Sequence, residues 1–190
     1  MAAGAGCAVI MIRAKEDRML DKARVEIVPP LAGSDLVAEQ ERLLKRRLAG
    51  RATDEDLARL EALPGEIAAA IEAARIVLVF QTATRRGGFR RGDLLRQARE
   101  WLEAQGYGEG TAWGDIPADV REEVVVLQQA ATIAGALVPE ECRNFAVPED
   151  PAGWLDLPDY IYAATLGAAW RLNPHWLPVP VDDEDDESKN

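Results

Sequence analysis

The sequence predicts a mainly α protein: a helical domain of about five to six helices, with a short N-terminal β element and a disordered acidic C-terminal tail. Three observations carry this reading. Apolar residues recur at helical spacing from Leu36 to Leu172. Strand character is confined to two early runs, residues 8–13 and 24–28. Six consecutive acids, Asp182 to Glu187, follow an aromatic and apolar segment and have nothing to bury. The expected organisation is residues 1–33 as the β element and its connection, 34–180 as the helical domain and 181–190 as the tail.

In chain order, residues 8–13 are rich in β-branched side chains. In residues 24–28 polar and apolar side chains alternate, which sends Val25 and Ile27 to one face. The polar stretch 15–22 reads as the connection of a hairpin, and Pro29-Pro30 ends the second strand because proline has no N–H for a ladder. Two strands alone are marginal, so they must lie on the helices or pair with another chain.

Ser34 reads as the N-cap of a helix carrying Leu36, Gln40, Leu43, Leu44 and Leu48, with Gly50 just beyond its end. Thr53, with Asp56 three residues on, forms a capping box for the next helix. Its stripe is Leu57, Leu60 and Leu63, and Pro64 is expected to close it. A further helix follows from Glu66 through Ile67, Ala70, Ile71 and Ala74. Residues 76–80 fit either a buried strand or the end of that helix, and the alanines before them favour helix.

Residues 85–91, Arg-Arg-Gly-Gly-Phe-Arg-Arg, read as a loop, with Asp93 capping the helix of Leu94, Leu95, Ala98, Trp101 and Leu102. Gly106, Gly108, Gly110 and Gly114 mark a connection. Pro117 fits a first helical position, and Val120 to Val138 form a long helix ending at Pro139. Residues 140–153 read as an acidic, proline-containing loop. Asp156 is the expected cap of the last helix, which carries Ile161, Thr165, Ala168 and Leu172. Asn173-Pro174 ends it, with Asn173 expected in the left-handed conformation.

The formal net charge of −11 repels phosphate backbones and disfavours nucleic acid as a partner. Cys7 and Cys142 lie too far apart in sequence for a metal-ligand spacing or a disulfide framework, and both read as reduced thiols. The first apolar run precedes Arg13 instead of following a basic segment, which is the wrong order for a secretory signal. Acids and arginines interrupt every apolar stretch long enough to span a bilayer. A cytoplasmic location and no membrane partner are the resulting expectations. No nucleophile–base pair, metal-ligand cluster or phosphate loop is legible, so no catalytic residue, cofactor or metal is expected.

Two sets of residues stand out as candidate partner-binding positions. One is aromatic: Trp154, Tyr160, Trp170 and Trp176, near the end of the chain, where tryptophan and tyrosine suit an interface. The other is the arginine island Arg85, Arg86, Arg90 and Arg91. It reads as a solvated face, as a dock for the acidic tail in the same or a neighbouring copy, or as a site for an acidic or nucleic-acid partner. His175, the single histidine, follows a helix end and reads as structural.

Two segments together resemble a family. Val25-Glu26-Ile27-Val28-Pro29-Pro30-Leu31 leads through Gly33-Ser34-Asp35-Leu36 into a helix. Near the end, Leu137-Val138-Pro139 and Trp154-Leu155-Asp156-Leu157-Pro158-Asp159 lead to a helix and then to Leu172-Asn173-Pro174-His175-Trp176. This layout resembles the tail assembly chaperones and related small tail-morphogenesis proteins of long-tailed bacteriophages. The resemblance implies a non-catalytic protein of the host cytoplasm that coats a long tape measure protein and helps recruit tail tube subunits, with homo-oligomers compatible. Two rival readings are an acidic adaptor or inhibitor that competes with nucleic acid for a basic protein, and a structural component that stays in the virion.

Overall fold

The computed structural model describes residues 10–13 and 22–176. It is mainly α, as the periodicity predicts. The expected tail and residues 15–21 of the expected hairpin connection lie outside the described residues, while Lys22, expected in that connection, opens a strand. Strands β1 (Ile10–Arg13), β2 (Lys22–Ile27) and β3 (Ile76–Gln81) form one antiparallel sheet in that order. The helices are α1 (Ser34–Leu48), α2 (Asp54–Ala74), α3 (Arg85–Ala104), α4 (Ala118–Ala136), α5 (Pro151–Leu155) and α6 (Asp159–Leu172).

The sheet corrects the expectation for residues 76–80, which form a strand and not a helix end. The cause lies far away in the chain. β3 pairs with β2 along one edge, and residues 137–143 come back along the other. There Val138 N donates to Val79 O at 2.8 Å, and Val77 and Arg143 exchange N–H···O bonds of 2.9 Å. With both edges met, the backbone of a β-branched, aromatic run gains more as strand than as another helical turn. α2 is stopped at this point by a clamp. Asn144, held at φ 54°, donates through Nδ2 to Ala73 O and Arg75 O, both at 2.8 Å.

The core sits between the sheet and α4. Val25, Ile27, Leu78 and Phe80 turn inward from the strands, and α6 lies over them. α4 packs against α3, α5 and α6, and every residue from Ala130 to Val138 is buried. That stretch is small-residue rich, which lets backbones approach. At the crossing of α3 and α4, a Cβ on Gly87 would sit 2.1 Å from the Gly135 carbonyl oxygen, so only glycine fits. Trp154, on α5, is buried in the same core, and Tyr162 donates its hydroxyl to Trp154 O at 2.6 Å.

Several helix ends differ from expectation. Gly33 takes the N-cap position of α1, one residue before Ser34, with no side-chain bond. Pro64 does not close α2 but lies within it, at an exposed position. The proline removes one helical N–H bond. Leu60 and Leu63 before it and Ile67 and Ala70 after it all lie on the less exposed side of the helix, which runs through. Thr84, not Asp93, caps α3, so residues 85–91 are its first two turns and not a loop. Asp150 caps α5, and α6 begins at Asp159 after Pro158, which leaves Asp156 without the capping role. Asn173 is not left-handed: its φ is −133°. Its side chain is fully buried instead, accepting from Ala83 N at 2.6 Å and donating to Ala169 O at 3.1 Å. It ties the end of α6 to the β3–α3 turn.

The capping box of α2 is present as predicted. Asp56 N donates to Thr53 Oγ1 at 3.2 Å and Thr53 N donates to Asp56 Oδ2 at 2.9 Å.

Candidate binding surfaces

The insertion between β2 and β3 is a helical hairpin. α1 and α2 pack chiefly on each other and meet the rest of the chain mainly where they join the sheet. At that base Arg75 bonds Glu26 at 3.0 Å and Glu72 at 2.8 Å. The inner seam buries only Leu43, Leu63 and Asp56. Arg59 crosses the seam to Glu39 at 3.0 Å, and Arg46 reaches Asp56 at 2.9 Å. Both carboxyls are held below the usual carboxylate range. For Glu39 the cause is the Arg59 guanidinium, and for Asp56 it is first the Thr53 backbone N–H.

The outer side of this arm is informative. Val37, Leu44 and Leu48 are exposed, Leu48 at 87%. At 100° per residue they fall within roughly 40° of one another, so they form one lengthwise stripe, turned about a quarter circle or more away from the inner seam. The far end of α1 is basic: Arg42, Lys45, Arg46 and Arg51 line a shallow depression there, and Arg47 stands beside them, exposed. The sequence reading missed this patch. Its signal was the run Lys45-Arg46-Arg47, which an overall charge of −11 conceals.

The predicted aromatic set does not form one surface. Trp154 is 1% exposed and belongs to the core, so it has no face to offer a partner. Tyr160 is half-buried against the same core. Trp170 and Trp176 do meet, in a cleft of about 400 Å3 between α3, α4 and the end of α6. The arginine island divides in the same way. Arg85 and Arg86 are exposed on the first turn of α3. Arg90 turns inward and donates to Leu137 O at 2.6 Å. Arg91 enters the cleft, its guanidinium carbon 5.1 Å from the centre of the Trp176 ring. The cleft thus brings together Arg91 from one predicted set and Trp170 and Trp176 from the other.

A short turn, Pro174–Trp176, places the Trp176 ring. It lies so close to α4 that a Cβ on Gly135 would be 2.9 Å from the indole. His175 is exposed at the mouth, its ring 5.5 Å from that of Trp176.

Cys142 donates its thiol to Val138 O at 3.3 Å, and burial pushes the thiol up from its ordinary value, so it is a poor nucleophile. Cys7 lies outside the described residues. Among the described residues no group of three or more histidine, cysteine or acidic side chains could hold a metal ion, and no helix is long and apolar enough to cross a membrane. Comparison with protein-family models, curated proteins and solved structures finds no match to this chain.

Proposed function

We propose that this chain is a non-catalytic assembly factor that holds an elongated helical client by its α1–α2 arm. In the setting implied by the resemblance to tail assembly chaperones, the client is the tape measure protein of a long-tailed bacteriophage. The observation that supports this reading is the stripe Val37, Leu44, Leu48 on an arm whose own packing leaves it uncovered. Spacings of seven and four residues along a helix suit a second helix laid alongside, because they recur on one face. An exposed leucine stripe of this kind covers matching apolar positions on a client and keeps it from self-association. The basic end of α1 adds direction: an acidic stretch of the client aligns with Arg42, Lys45 and Arg51.

The test is co-expression with the tape measure protein of a long-tailed bacteriophage, or with any long helical protein that a neighbouring gene encodes. The expected result is a co-purifying complex that survives 0.5 M salt, since apolar contacts resist screening. Leu44→Glu combined with Leu48→Glu releases the client while the melting temperature of the free protein stays unchanged. The acidic-adaptor reading rests on the net charge of −11. It expects a complex that falls apart steeply with salt and ignores the leucine substitutions. Recovery of the chain in purified virions would instead favour a structural component.

A further inference from the structure

The cleft beside Trp176 contains donors that find no acceptor among the described residues. Trp170 Nε1 and Arg91 Nε are both shut off from solvent and meet no acceptor among the described residues. The contact of Arg91 with the Trp176 ring satisfies its charge in part but accepts none of its N–H groups. Burial without a nearby acid also pushes the Arg91 guanidinium below its ordinary value. None of the described side chains lining the cleft is acidic. Arg59 and Arg75 have carboxylates, and Arg90, whose own Nε is likewise buried without an acceptor among the described residues, has the Leu137 carbonyl for its Nη2. Buried donors of this kind are ordinarily paired, and a partly desolvated cation without a counter-ion is the costliest case.

The chemistry of the missing group follows from the walls. A guanidinium and an indole N–H in one cleft require an acceptor, and the cation requires that it be negative. Leu95, Val125 and the Trp176 ring supply apolar walls, so the anion is carried on an apolar body. The amides of Gln128 and Gln129 stand along α4 beside it, where a carboxylate's second oxygen finds a neutral donor. The volume of about 400 Å3 suits a small organic acid or one to two residues of a peptide. We infer that this cleft is a binding site for a carboxylate borne on an aromatic or branched apolar group, gripped by Arg91 and Trp170 and stacked along Trp176. The site is on the body, away from the arm, and its test is independent of the client proposed above.

The full chain is titrated with phenylacetate and with its neutral isostere phenylacetamide. The readouts are affinity and the indole N–H resonance of Trp170, assigned by its loss in Trp170→Phe. Phenylacetate is expected to move that resonance saturably and to bind about ten-fold or more tightly than the amide, as a charge-assisted bond requires. Arg91→Gln is expected to abolish that preference. Should Arg91→Gln fold poorly, Trp170→Phe keeps an aromatic ring and removes the donor, and is expected to weaken the acid several-fold more than the amide. Equal affinity for acid and amide, a stationary Trp170 resonance at saturation, or full acid affinity in both variants would overturn the assignment. Two further arms name the source. Tighter binding of acetyl-Leu-Asp-amide than of phenylacetate points to an acidic peptide, and the reverse to a free small acid. A Trp170 shift on neutralising Asp182 to Glu187 in the full chain, with no probe added, points to the chain's own acids.

Discussion

The arm and the body of this protein spend their apolar residues in opposite ways. The arm is rich in leucine and buries little of it: Leu43 and Leu63 are covered, whereas Leu44, Leu48 and Leu57 face outward. The body is rich in alanine along α4 and α6 and buries most of it, with Ala130, Ala131, Ala136 and Ala169 below 1% exposure. Two helices alone can cover only one stripe each, so the arm's remaining leucines have no neighbour. α4 is surrounded by α3, α5 and α6, and small side chains are what allow three helices to approach it. Large apolar side chains therefore mark the surface offered outward, and small ones mark the core.

The comparison predicts unequal consequences for equal truncations. Trp154→Ala in the body removes a fully buried indole and leaves the Tyr162 hydroxyl bond on a loosened helix. The expected loss is about 3–5 kcal/mol in urea unfolding, with arm and body melting together, because a lone helical pair with two buried leucines does not stand without its base. Leu63→Ala in the arm is expected to cost about 2 kcal/mol, and only locally. Amide exchange should accelerate over residues 34–74 while the urea midpoint of the body stays in place. An equal fall of the body midpoint would mean that arm and body are one cooperative unit, and the contrast drawn above would fail.

The same contrast explains what could be read from the sequence. In the arm, local rules decide: Thr53 and Asp56 announce the capping box, and Gly50, at φ 67°, announces the end of α1. In the body, distant contacts decide. Gly87 and Gly88 look like loop residues, but Gly87 is a helical residue chosen for its approach to Gly135. Residues 76–80 look helical because of the alanines before them, but an edge supplied sixty residues later makes them a strand. The candidate cleft was half legible. Arg91, Trp170 and Trp176 were each singled out by residue type, and none of the local patterns shows that α3 and the turn after α6 bring them together. Trp154, singled out by the same reasoning, went to the core because tryptophan serves both roles. The long-range placement of Asn173 was equally invisible, since its partners Gln81 and Ala83 lie ninety residues earlier.

The smallest effect separates arm from body by pH. The arm leans on ionised carboxyls. The Thr53 backbone N–H holds Asp56 below its ordinary 3.8, and Arg59 holds Glu39 below 4.5. A depressed carboxyl stabilises the folded form at pH values above its unfolded pKa, and that contribution is lost as pH falls through the folded value. The body's Tyr162 is shifted the other way. Burial against Trp154 O pushes its hydroxyl from 10.0 up to about 12. Its stabilising effect is complete below pH 10 and disappears as pH rises towards 12, because the unfolded chain ionises first. Asp93 on α3 is also depressed, but its pair with Arg96 is open to water on both sides and contributes little. Below pH 4, exchange should therefore quicken first in residues 34–74. Between pH 10 and 12 it should quicken first around α5 and α6. Asp56→Asn should flatten the acid limb alone, and Tyr162→Phe the alkaline limb alone. If either substitution moved both limbs, the two regions would share their titrating groups, and the division of the molecule into a charged arm and a neutral core would not hold.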